Sequence, residues 1–159
     1  MTPLFSNPAL RAVASHWRVS GIVSGHSGSW LTVTTGRDIA ATGISAQRLD
    51  QVMDNPYGDK SLNNYLNPAA FAYPAPGMLG NHVRGSIAGP AYWNIDLALA
   101  RELSLGSTET VELRLETFNL LNHFNWGNPT VNFDAANFGL IQTQTGIPRV
   151  LQFGIRYAF

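Results

Sequence analysis

Residues 149–159 read RVLQFGIRYAF. Leu151, Phe153, Ile155, Tyr157 and Phe159 alternate there with Val150, Gln152, Gly154, Arg156 and Ala158. Successive side chains of a strand point to opposite faces, so the stretch is a strand with one apolar side and one mixed side. A helix would need apolar residues three and four apart, a spacing this run does not sustain. Three more segments follow the same period. Residues 109–119, ETVELRLETFN, set Val111, Leu113 and Leu115 against Glu112, Arg114 and Glu116. Residues 93–103, WNIDLALAREL, turn Trp93, Ile95, Leu97, Leu99 and Leu103 one way and Asn94, Asp96, Ala98, Ala100 and Glu102 the other. Residues 16–26, HWRVSGIVSGH, place Trp17, Val19, Gly21, Val23 and Gly25 opposite Arg18, Ser20, Ile22, Ser24 and His26.

Strands are therefore expected near 16–28, 93–105, 109–122 and 148–159. Each run is about twice the five or six residues usual in soluble domains. A tilted strand crossing the hydrocarbon of a bilayer needs about 9–11 residues. Leu105, Gly106, Ser107 and Thr108 make a tight turn between the second and third strands. The other two links, 27–92 and 120–148, are long and rich in Asn, Gly and Pro. Short turns at one rim and long loops at the other are the habit of outer-membrane barrels. The fold expected is all-β, with antiparallel up-and-down strands forming part of a transmembrane β-barrel. Trp17, Tyr157 and Phe159 then fall near the short-turn rim, and Trp93, Phe124 and Trp126 near the loop rim, as membrane girdles require. Residues 8–13, following Asn7, suit a short capped helix.

Composition narrows the function. The 159 residues are 45% hydrophobic but only 13% charged, about half the charge of an average soluble domain. Ten basic residues balance ten acidic ones, which leaves no footprint for nucleic acid and no polybasic patch for an anionic membrane surface. The chain has no cysteine, so disulfides, thiolate metal sites and cysteine nucleophiles are excluded. His16, His26, His82 and His123 lack ligand spacing, and Asp54 and Asp59 lack the alternating oxygen ligands of a calcium loop. Neither a G-x-S-x-G elbow nor a phosphate-binding glycine loop occurs, and Lys60 is the only lysine. No enzyme and no cofactor is expected. Residues 1–20 lack a basic segment followed by an apolar core, so no signal peptide is expected in them.

From about Asn7 onward the chain resembles the C-terminal part of the barrel of TonB-dependent outer-membrane receptors, and within them the Oar-like subgroup that carries a carboxypeptidase-regulatory-like domain. The strings that carry the likeness are WRVSGIVSGHSG from Trp17 with LTVTTGRD after it, YLNPAAFAYPAPG, GPAYWNIDLALARE, ETVELRLETFNLLNHFNWGNP and PRVLQFGIRYAF. Ser15-His16 and Ser29-Trp30 depart from the usual spelling. The resemblance implies a signal peptide, a plug filling the lumen and a barrel of about 22 strands in the whole protein. It implies solute uptake driven by TonB acting through the plug, neither plug nor TonB-contacting box lying in these residues. It also implies that Leu151, Phe153, Ile155, Tyr157 and Phe159 form the signal read by the outer-membrane assembly machinery.

Four strands alone leave two unpaired edges, and an unsatisfied backbone group in lipid costs several kcal/mol. The expected partners are therefore outer-membrane lipid and the remaining strands and plug of a longer receptor. Asp96, Glu102, Glu112, Arg114, Glu116 and Arg156 are expected on the lumen side, where they either contact the plug or simply pair across strands. Tyr65, Tyr73, Phe124 and Trp126, flanked by asparagines, are candidate ligand contacts in the loops, against the alternative that the loops pack on themselves. The competing function is a soluble all-β carbohydrate-binding module.

Overall fold

The computed structural model describes residues 14–159, and the helix expected at 8–13 lies outside them. In chain order the strands are β1 (Trp17–His26), β2 (Trp30–Leu31), β3 (Asp50–Gln51), β4 (Tyr57–Ser61), β5 (Asn64–Leu66), β6 (Phe71–Ala72) and β7 (Ile87–Ala88). They continue with β8 (Tyr92–Ser104), β9 (Thr110–Phe118), β10 (Asn125–Trp126), β11 (Gln144–Thr145) and β12 (Val150–Ala158). One 3-10 turn, Pro68–Ala70, is capped by the Asn67 side chain, which accepts from the Ala69 N–H. The protein is all-β.

Two compact units make up the chain. The wall unit holds residues 14–24, 94–123 and 147–159 of the described chain; the loop unit holds 25–93 and 124–146. The four long strands form one sheet in the order β1-β8-β9-β12. Each strand runs opposite to its neighbour. Leu99 faces Leu115, which faces Phe153, and Glu102 faces Glu112, which faces Arg156. On the other side, the Glu102 N–H donates to the His16 carbonyl while Gly21 lies beside Asp96, so β1 runs against β8. Strands β1 and β12 are the edges, each with one neighbour among the described residues. The sheet is open.

The largest departure of a strand end from expectation has a visible cause. The third strand stops at Phe118, not at 122, because Asn119 and Asn122 both take left-handed backbone angles, φ 52° and 50°. Asparagine tolerates that region better than most residues because its amide bonds locally. Asn119 is buried, accepts the His123 N–H and donates to the carbonyls of His123 and Ile147; Asn122 accepts the Arg149 N–H. The Asn119 N–H goes to Asp96 Oδ1, 2.9 Å away, which also takes the Asn94 amide.

The long connections are not slack. In the loop unit Val33, Leu49, Tyr65, Leu66, Ala70, Phe71 and Ile87 from the first connection bury themselves with Phe138 and Ile141 from the second. Leu31, Tyr57, Trp126, Val131 and Phe133 pack on that core. Four two-stranded sheets, β2-β7, β3-β6, β4-β5 and β10-β11, surround it. Backbone bonds stitch the two connections together: Thr34 N–H to the Val131 carbonyl, Phe133 N–H to the Thr34 carbonyl, and Ile141 N–H to the Leu62 carbonyl. Gly139 is one close joint between them. Its carbonyl accepts from Tyr65 and Leu66, its φ is 76°, and a Cβ there would stand 2.7 Å from the Leu66 carbonyl oxygen. Only glycine fits such a site without strain.

Candidate functional site

The sheet register sorts the wall residues onto two faces. One face carries Trp17, Val19 and Val23 of β1, Leu97, Leu99 and Leu103 of β8, Val111, Leu113 and Leu115 of β9, and Leu151, Phe153, Ile155 and Tyr157 of β12. Among the described residues of the wall unit nothing covers it: Phe153 and Ile155 stay 77% and 78% exposed. Apolar side chains in a row with no second layer need an apolar medium. Arg101 also belongs to this face, opposite Leu113, and the alternation read from sequence left it unplaced. Its guanidinium lies 5.2 Å from the centre of the Trp17 ring. A long basic side chain on an indole near the end of a strand is an interfacial arrangement.

The opposite face is polar. Asp96, Glu102, Glu112, Arg114, Glu116 and Arg156 all fall on it, with Arg18, Ser20 and Gln152. Arg114 pairs with Glu116 at 2.6 Å along one strand, and Arg18 reaches Glu112 at 3.4 Å. Arg156 stands opposite Glu112, and Glu102 faces Glu112 from the other side. Asp96 is a structural acceptor, engaged by Asn94 and Asn119. A cleft of about 200 Å³ opens on this face between Ser20, Ile22, Asp96, Ala98, Arg114 and Glu116.

Tyr157 and Phe159 stack 5.8 Å apart at the short-turn end of the sheet, and Trp17 starts the edge strand at that end. Trp93 lies near the opposite end of β8. Such a two-faced sheet, with aromatics toward its ends, is built as a membrane wall. Residues 2–152 match the family described as outer membrane beta barrel domain. The chain belongs to that family. Comparison with curated proteins and with solved structures gives no match. The protein is therefore an outer-membrane β-barrel protein.

In the loop unit of the barrel domain, the four candidate ligand residues separate. Tyr65 is a core residue, 5% exposed, with its hydroxyl donating to the Ala88 carbonyl and its ring edge-on to Tyr57. Its place among the candidate contacts is corrected: no part of it is offered to a ligand. Trp126 sits in β10 against the core. Tyr73 is exposed but engaged, its hydroxyl donating to Asp134 Oδ1 at 2.5 Å. Phe124 is exposed. Aromatic rings in this unit chiefly pack on one another, Tyr73 on Phe133, Phe133 on Phe138 and Phe138 on Phe71.

Residues that sequence reading passed over hold this unit together. Asp134 accepts from the Thr35 hydroxyl at 2.5 Å, from Tyr73 and from the Gly36 N–H at 2.7 Å, and it pairs with Arg37 Nε at 2.9 Å. The Thr35 hydroxyl first, then Tyr73, Gly36 and the Arg37 charge, hold its carboxyl down to about 2. The bond to Asp134 raises the Tyr73 phenol in turn. Arg37 also covers the Tyr73 ring. Asp38, two residues from Gly36, closes its own loop by accepting from Thr42, Gly43 and Gln47, and the Thr42 N–H leads in lowering its carboxyl. Asn125 is buried, and its amide donates to the Trp93 carbonyl at 2.8 Å and accepts the Trp93 N–H at 3.0 Å, doing the work of a neighbouring strand. Asn119, Asn122 and Asn125 thus recur every third residue, each satisfying backbone. The regular spacing was the available signal.

Proposed function

We propose that this barrel domain is part of the wall and long loops of a TonB-dependent receptor of the Oar-like kind, which takes up solutes across the outer membrane. The observation that carries the reading is an open sheet of four long strands, apolar on one face and charged on the other, with an aromatic final strand. Lipid covers Leu113, Leu115, Phe153 and Ile155. Strands from the rest of the receptor pair with the edges β1 and β12, since bare edges in hydrocarbon cost several kcal/mol per backbone group. The polar face lines the lumen, where a plug meets Asp96, Glu102, Glu112, Arg114, Glu116 and Arg156, and TonB acts only through that plug. The side chains of Leu151, Phe153, Ile155, Tyr157 and Phe159 serve the assembly machinery. The reading includes no catalytic step and no cofactor.

A soluble carbohydrate-binding module gains no support: the exposed apolar face has no place in water, and Tyr65 is sealed in the core. Photo-crosslinking in intact cells tests the proposal. A photoreactive residue at Ala98, on the polar cleft, is expected to capture a plug segment of the same receptor, and one at Leu115 to capture lipid. Protein capture at Leu115 with none at Ala98 refutes the assignment of faces.

A further inference from the structure

His82 is the one histidine of the described chain sealed in a core, 1% exposed, and the fold holds it there without a partner at Nε2. Its surroundings fix its protonation. Gln51 donates its amide N–H groups to the carbonyls of Met53 and Asp54, so its Oε1 is the atom facing the ring, 3.1 Å from His82 Nδ1. Nδ1 therefore carries the proton and Nε2 the bare lone pair. The ring stands edge-on to Phe71 of β6, their centres 5.4 Å apart.

The segment around it is docked along β3. The His82 N–H donates to the Leu49 carbonyl and Arg48 Nη1 to the His82 carbonyl, each at 3.0 Å. Asn81 exchanges two bonds with the strand, its N–H going to Asp50 Oδ1 and its Oδ1 accepting the Gln51 N–H. The charged neighbours are thus Arg48 and Asp50. Arg48 adds positive charge beside the ring, Asp50 is engaged with Asn81, and β6 brings only Phe71 and Ala72.

We propose that His82 makes this docked segment a proton-released latch in the loop unit. Protonation at Nε2 places an N–H with no protein acceptor, and a positive charge near Arg48, inside a core; both are relieved when residues 81–82 leave β3 and the ring is exposed to solvent. Burial first and Arg48 second lower the ring's pKa from its ordinary 6.5, which agrees in sign. The docked state is fully favoured above the ordinary histidine value and weakens as pH falls below it toward the lowered one. The latch does not depend on whether the receptor is TonB-driven, because it rests on the loop unit alone.

Amide hydrogen exchange on the full chain in detergent micelles, corrected for the intrinsic effect of pH, tests it between about pH 7.5 and about pH 5. Protection at the Asn81 and His82 amides is expected to fall below the ordinary histidine value, by at most about tenfold per pH unit, while Leu113 and Leu115 amides stay protected. His82→Gln keeps a neutral amide at both pH values and should remove the fall; His82→Phe is the second variant should the first fail to fold. Equal protection at both pH values in the native chain overturns the latch. So does the same fall in the neutral variants, or a loss shared by the wall amides.

Discussion

The wall and the loop unit solve opposite problems with similar residues. In the wall, leucines, phenylalanines and isoleucines stay exposed on one face of a single sheet. In the loop unit, Leu49, Leu66, Phe71 and Ile87 disappear into a core built from segments that sequence marks as loops. The wall satisfies its backbone in a ladder and leaves its apolar face uncovered by the described residues. The loop unit satisfies its backbone piecemeal, through Gly139, the Asp134 cluster and the asparagine amides, and keeps its apolar side chains for itself. Apolar content therefore does not tell which solvent a segment meets; pairing does.

That contrast can be broken in graded steps. Phe71→Ala opens a cavity in the loop core and should cost about 3–5 kcal/mol of that unit's stability, seen as a lower urea midpoint of loop-unit exchange with no change in β9 protection. A smaller effect, about 2–4 kcal/mol, is expected for Leu115→Arg on the apolar face, measured by unfolding from vesicles. Ala98→Arg on the polar face should be tolerated; a larger loss from Ala98→Arg than from Leu115→Arg would reverse the faces. Asn125→Ala removes two hydrogen bonds to the Trp93 backbone, at about 1–3 kcal/mol, with faster exchange at Trp93 as the readout.

Asp134 sharpens the comparison through pH. Its carboxyl is depressed in the folded loop unit, so its contribution is complete above its ordinary 3.8 and is lost as pH falls through about 2. Acid titration of Asp134→Asn should lack that part of the loop unit's acid sensitivity. The smallest effect belongs to the wall: Arg114→Ala removes an exposed pair with Glu116 and should change stability by less than about 1 kcal/mol.

Both faces of the wall were legible because a strand's period of two is local: Leu113 and Glu112 declare their sides within a few residues. Arg101 broke the pattern and was placed only by the partner strand that brings Trp17 beside it. Loop aromatics were legible as aromatics but not as core or surface. Tyr65 and Tyr73 read alike in sequence, yet one is buried against Tyr57 and the other joins Asp134, many residues away along the chain. His82 carried no local sign of burial at all.

Sequence alone thus determined the four long strands, their two-sidedness, their alternating direction and the membrane class, since each follows from neighbours along the chain. Tertiary structure alone decided that the long connections share one core, that Gly139 and Asp134 join them, and that His82 is sealed. Those outcomes depend on contacts between residues far apart in sequence, whose closure is set by the whole fold and leaves no periodic trace in either segment.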